Sequence, residues 1–213
     1  MLISLIKKDL MIVKSYSLGV VAIAVGLPLL LAWRQPQMGG MVSLLMAVLI
    51  SSVTFNLAIS EKENQYPKAT ALISSTPYTK GSVIASKYAL YFIIYLVCCI
   101  AYWFEMQLVP EIKLVNFTQI AMLVFVVQAF GMGIFLPVQY KFGYEKTKFV
   151  CVLLFFSPII IDITKRISFP SKLVSFTQLN SAILPAIFCG CGILIWLVSF
   201  AISNKIFSKK DLI

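Results

Sequence analysis

Histidine does not occur anywhere in the 213 residues, which removes imidazole-based catalytic triads, haem ligation by histidine and the usual zinc sites. Charge is also scarce. Only 12% of the residues are charged, about half the usual share, while 60% are hydrophobic. The sequence contains no GxxxxGK[ST] loop, no GxSxG elbow, no HExxH helix and no carboxylate pair at useful spacing within an apolar run. It therefore lacks the side chains for catalysis and the polar mass for a soluble catalytic domain.

What is present is apolar sequence in long runs, enough for six spans of about 20 residues each. The expected fold is all-α, a polytopic membrane protein treated as one transmembrane domain over 1–213. Six spans are expected at about 17–33, 40–60, 83–104, 117–138, 149–163 and 183–203. The fifth is short for a crossing, and Ser157 and Pro158 interrupt it before Asp162. Residues 164–181 mix Lys165, Arg166 and Lys172 with apolar side chains, which suits an interfacial segment.

The first 14 residues place Ile3, Ile6, Leu10 and Val13 on one helical face, with Lys7, Lys8, Asp9 and Lys14 largely elsewhere. This predicts a helix lying flat on a membrane surface. A signal peptide is the competing reading, disfavoured because 15–33 is long for an h-region and no A-x-A cleavage site follows.

Five cysteines, Cys98, Cys99, Cys151, Cys189 and Cys191, all sit in apolar runs, where a thiol packs as a small hydrophobe. The net charge of +10 is spread around the spans instead of gathered in one patch, so the bilayer, and not nucleic acid, is its expected partner. Lys7, Lys8, Lys14, Lys62, Lys68, Lys80, Lys87, Lys141, Lys146, Lys148, Lys205, Lys209 and Lys210 fall on one side. Arg34, Lys113, Lys165, Arg166 and Lys172 fall on the other. The imbalance predicts both termini and residues 61–82 in the cytoplasm.

Ionisable groups near the spans are few. Glu105 and Asp162 lie near predicted outer ends and are expected to be hydrated there. Ser51, Ser52, Thr54, Asn56 and Gln128 lie mid-span, where they either line a path or join helices. The candidate path residues are Asn56, Gln128, Asp162, Lys165 and Arg166. The pairs Gly131/Gly133 and Gly190/Gly192 permit close helix approach without forming a GxxxG motif.

The longest polar interlude is also the most patterned. It begins with Glu61, Lys62, Glu63, Asn64, Gln65 and Tyr66, continues through Leu72 to Thr76, Pro77, Tyr78, Thr79 and Lys80, and ends in Ser86, Lys87 and Tyr88 at the next span. This arrangement resembles the loop between the second and third spans of ABC-2 type permease subunits. There an acidic element precedes a short helix, a leucine, a proline-tyrosine turn and an S-K-Y start to the next span. The six-span organisation, the N-terminal amphipathic helix and the broken region after span five fit the same family.

The resemblance implies a cytoplasmic coupling helix that docks on a separate ABC ATPase, with Glu61, Glu63, Asn64, Tyr66, Leu72, Pro77 and Tyr78 as coupling residues. It implies ATP and magnesium on the partner subunit and no cofactor on this chain. It also implies a second permease subunit, as a homodimer or heterodimer, in a bacterial cytoplasmic membrane. Glu61 and Glu63 are then expected near the N-terminus of the coupling helix, where negative charge is favourable. The short segment after span five is similar to that of compact members that export antimicrobial or cytolytic peptides or confer immunity to them. Two other classes remain open: a carrier or channel acting alone, and a membrane anchor or sensor without flux.

Overall fold

The computed structural model describes residues 2–34, 41–65, 79–108, 117–143, 145–147 and 183–208. Within them the chain forms helices α1 (Leu2–Ile12), α2 (Lys14–Arg34), α3 (Met41–Gln65), α4 (Lys80–Leu108), α5 (Phe117–Phe142) and α6 (Ile183–Ser208), and no strand. Predicted span five, the segment 164–181, and the residues Tyr66, Leu72, Pro77, Tyr78, Asp162, Lys165 and Arg166 lie outside the described residues.

Four stretches, Val42–Gln65, Gly81–Leu108, Phe117–Phe142 and Pro185–Phe207, are long and apolar enough to cross a membrane. The bent pair α1/α2 brings the number among the described residues to as many as five. At 1.5 Å per residue, the 24 residues of Val42–Gln65 reach about 36 Å, more than the ~30 Å hydrocarbon core. Helix is the expected form because every backbone amide can then be satisfied within its own segment, away from water.

Helix α4 organises the bundle. Its inward positions Ile84, Lys87, Tyr91, Ile94, Tyr95, Cys98, Tyr102 and Glu105 are buried and recur every three or four residues, forming one stripe along the helix. Helices α1, α2, α3 and α6 pack around it, and α3 also touches α2 and α5. The most extensive helix contact is between α5 and α6. Within the apolar windows of these spans, 61% of α3 is buried by the chain but only 17% of α6, so α3 is central and α6 peripheral.

The α1/α2 elbow turns through 88° at Val13, which is fully buried. The amides of Tyr16 and Ser17 both donate to the Val13 carbonyl at 2.9 Å. The stripe that α1 turns towards the bundle is Leu5, Asp9 and Val13, with Ile3 81% exposed. This corrects the expectation that Asp9 sits with the wetted lysines. A spacing of four puts Asp9 between two apolar anchors, and the bundle supplies polar company for it.

At the far side, α5 and α6 meet through glycine. A Cβ on Gly192 would fall 2.6 Å from the Phe125 ring. That ring cannot easily withdraw, because Tyr95 and Trp196 each pack with their centroids 5.4 Å from its own. Gly190, on the same helix, faces nothing within 4 Å. Gly192→Ala is therefore expected to cost about 1–3 kcal/mol through overpacking. Gly190→Ala should leave stability unchanged or raise it by up to about 1 kcal/mol through helix propensity. Thermal unfolding of the two variants in the same detergent checks the contrast.

Candidate coupling site

The polar residues of α3 form one line. Ser43, Ser51, Ser52, Asn56 and Ser60 are all buried, and the line continues to Glu63 in the last turn. Spacings of three, four and eight place them on adjoining positions of one helical face. In an apolar bundle such groups must find partners, and most find them on α4 and α5.

Near the start of α3, Ser43 Oγ donates to Tyr102 Oη at 3.2 Å. In mid-helix, Gln128 Nε2 of α5 donates to Ser52 Oγ and to the Tyr91 carbonyl, both at 3.0 Å. One helical turn on, Asn56 Nδ2 donates to Gln139 Oε1 at 3.0 Å, Ser60 Oγ to Asn56 Oδ1 at 3.4 Å, and Gln139 Nε2 to Ser60 Oγ. A separate set ties α4 to α6: Tyr88 Oη lies 2.6 Å from Ser199 Oγ and 3.1 Å from Ser203 Oγ. Ser199 in turn donates to the Gly133 carbonyl of α5 at 2.6 Å. Asn56 and Gln128, proposed from sequence as path or packing residues, are thus fully buried in hydrogen bonds between helices. Thr54 faces outward and donates to its own helix, to Ile50 O at 2.8 Å and Ser51 O at 3.1 Å.

The line ends in charge. Lys87 Nζ donates to both oxygens of Glu63, at 2.7 and 2.9 Å, and the lysine side chain is only 7% exposed. Asp9 of α1 and Tyr140 of α5 interact electrostatically with the same ammonium. Asp9 is 1% exposed and pairs with Lys8 at 2.9 Å. One residue from Glu63, Asn64 Nδ2 donates to Glu145 Oε1 at 3.3 Å.

Two expectations change here. Glu61, Glu63 and Asn64 belong to the last turns of α3, which runs on to Gln65, and the expected coupling helix lies in 66–78, outside the described residues. The dipole at that end disfavours carboxylates, so Glu63 is held by Lys87 instead. Glu63 and Lys87 also flank the chain between α3 and α4, and their bond closes its base like a staple. The second change concerns Glu105. Only 5% of it is exposed, and among the described residues neither carboxylate oxygen has a hydrogen-bond partner. Its place three, seven and fourteen residues after Tyr102, Cys98 and Tyr91 puts it on the inward stripe of α4, and that spacing was the signal for its burial.

Several apolar helices of membrane-crossing length, joined by buried polar rungs, define a multi-pass helical membrane protein. The model for the ABC-2 family transporter protein matches residues 4–208, and the chain belongs to that family. It is accordingly a membrane component of a transporter, the permease, which implies association with an ABC ATPase and with the bilayer. Among curated proteins and among solved structures, no match is found.

Removing Glu63 strands the buried Lys87 ammonium, at a cost of up to about 3–5 kcal/mol, whereas removing Lys87 leaves a 28%-exposed Glu63 that water can reach. A single interhelical hydrogen bond in a membrane protein is worth about 0.6 kcal/mol. Glu63→Ala should destabilise the chain far more than Ser43→Ala, and Lys87→Met less than Glu63→Ala. The double variant should be less destabilised than the sum of the two single ones. Chemical unfolding in detergent, arranged as a double-mutant cycle, measures the coupling.

Proposed function

We propose that the chain is the transmembrane subunit of an ATP-driven exporter that moves an amphipathic or hydrophobic substrate, a peptide toxin or antimicrobial, out of a bacterial cell. It works with a second permease subunit and with ATPase subunits that hold ATP and magnesium. Six spans cross the cytoplasmic membrane, both termini lie in the cytoplasm, and α1 rests in the inner interface. The observation that carries this reading is the family match over residues 4–208.

The geometry supports a mechanical role for residues 61–82. A permease without a nucleotide site must receive work through contact, so a cytoplasmic lever has to be fixed to spans that can move. Tyr66, Leu72, Pro77 and Tyr78 provide the docking surface, while Glu61 and Asn64 flank it. The Glu63–Lys87 bond holds the bases of α3 and α4 together. A push on the lever then moves both helices as one body, and the rungs at Ser60, Asn56 and Ser52 carry the displacement to α5. Lys165 and Arg166, with Asp162, are the residues this reading assigns to the outer exit of the path.

The test is co-purification with an ABC ATPase expressed alongside the chain. The intact chain is expected to retain the ATPase, and replacement of residues 66–74 by a glycine-serine linker should abolish capture while the chain still reaches the membrane. Failure to recover any ATPase, or capture that survives the replacement, overturns the coupling role. Gradient-driven flux by the purified chain without ATP overturns it in favour of a carrier acting alone.

A further inference from the structure

Between α2 and α3 the bundle leaves a cleft of about 300 Å³, lined by Tyr16, Gly19, Val20 and Ile23 on one side and Thr54, Leu57, Ala58 and Glu61 on the other. Its long axis follows the helices: Tyr16 to Ile23 and Glu61 to Thr54 each cover seven residues, about 10 Å of rise. Glu61 and Tyr16 sit at the charged end, beside the α1/α2 elbow, and Ile23 and Thr54 at the deep end.

We propose that this cleft binds a cationic amphipath from the inner leaflet, a single aliphatic tail bearing an ammonium or guanidinium head. The proposal rests on the export reading above and gives its substrate a charge sign and a point of entry.

Three observations choose this occupant. The first is that the deep end is apolar throughout. The only hydroxyl there, on Thr54, is already committed to Ile50 O and Ser51 O, leaving its methyl group available. A tail meets Val20, Ile23, Leu57 and Ala58 without stranding a polar group.

The second is that the lining leaves open space at Gly19. A Cβ on Gly19 would meet nothing within 4 Å, whereas Gly192, at the α5/α6 contact, is closed by Phe125.

The third is the charge at the mouth. Glu61 is the only ionised group in the lining, and among the described residues it receives a single long hydrogen bond, 3.5 Å from Gln65 Nε2, and no ion pair. Asp9 and Glu63, by contrast, are both matched with lysines. Lys62, its neighbour on α3, bonds to Gln65 at 3.3 Å. A cationic head would donate a charge-assisted hydrogen bond to Glu61, with Tyr16 of the same lining as a cation–π partner. An anionic head would be repelled, and a neutral one would gain only the tail contacts.

The experiment uses the full chain in phosphatidylcholine nanodiscs, with isotope-labelled dodecylammonium, dodecyl sulfate and the neutral dodecyl glucoside as probes, and protein-free discs as background. A saturable, one-to-one component is expected for the ammonium, with at least tenfold preference over the other two. Glu61→Gln should weaken it about tenfold and erase the preference. Gly19→Leu should abolish it, while Gly26→Leu, at another glycine of α2 with nothing within 4 Å, should leave it intact.

Equal binding of all three head groups makes the cleft an acyl-chain groove and overturns the assignment. So does binding that survives Gly19→Leu, or that Gly26→Leu lowers as much. Should Gly19→Leu fail to fold, the Glu61→Gln result decides the matter. No ATPase is present in these discs, so loss of binding with ATPase capture intact counts against the cleft alone, and the reverse counts against the permease reading alone.

Discussion

An ammonium group cannot be held inside a helix bundle without a counter-charge, and Lys87 meets that requirement through the two short bonds from Glu63. Much of this end of the molecule follows from this pairing. To reach Lys87, α3 must continue about one turn of helix beyond Ile59, and its next residue, Asn64, bonds to Glu145. Asp9 adds a second negative group from α1, so the amphipathic helix is drawn against the bundle by charge as well as by Leu5 and Val13. Tyr140 brings α5 to the same place. Desolvating these groups is expensive, and the arrangement is stable only as a set.

Away from this cluster the forces change in kind. Along the middle of α3 single hydrogen bonds fix register, each worth little, and around Phe125 aromatic rings pack with almost no polar contribution. Register is therefore set by α3 and proximity by the α5/α6 contact, while α4 shares in both through Tyr91 and Tyr88. The peripheral helix α6 is joined to α4 by aromatic contacts and by the serines that Tyr88 reaches.

The class of fold was legible in composition, because the shortage of charge and the length of the apolar runs leave helical spans as the way to satisfy the backbone. The family could be read from residues 61–88, where the acidic element is followed by the S-K-Y run near the start of α4, and the match over 4–208 agrees. The partnerships were not legible. Nothing local to Lys87 indicates that its counter-ion is 24 residues back on another helix. Asp9 looked like part of a lysine-rich wet face because residue type was weighed above its spacing from Leu5 and Val13. Glu105 was judged by its distance from the end of a span, when its position on the stripe of α4 decided its burial. The cleft beside Gly19 was also out of reach, since an empty space leaves no residue pattern.

The buried line on α3 has a consequence for how the chain comes to be made. In synthesis α3 precedes both α4 and α5, so Ser52, Asn56 and Ser60 enter the lipid before Tyr91, Gln128 and Gln139 exist to meet them. The helix must be apolar enough elsewhere to stay inserted during that wait, which gives its leucines, valines and isoleucines a task in biogenesis separate from packing. Assembly is then a second stage, in which already inserted helices rotate until each polar group faces a partner. In the finished bundle, the line along α3 preserves the record of that delayed meeting.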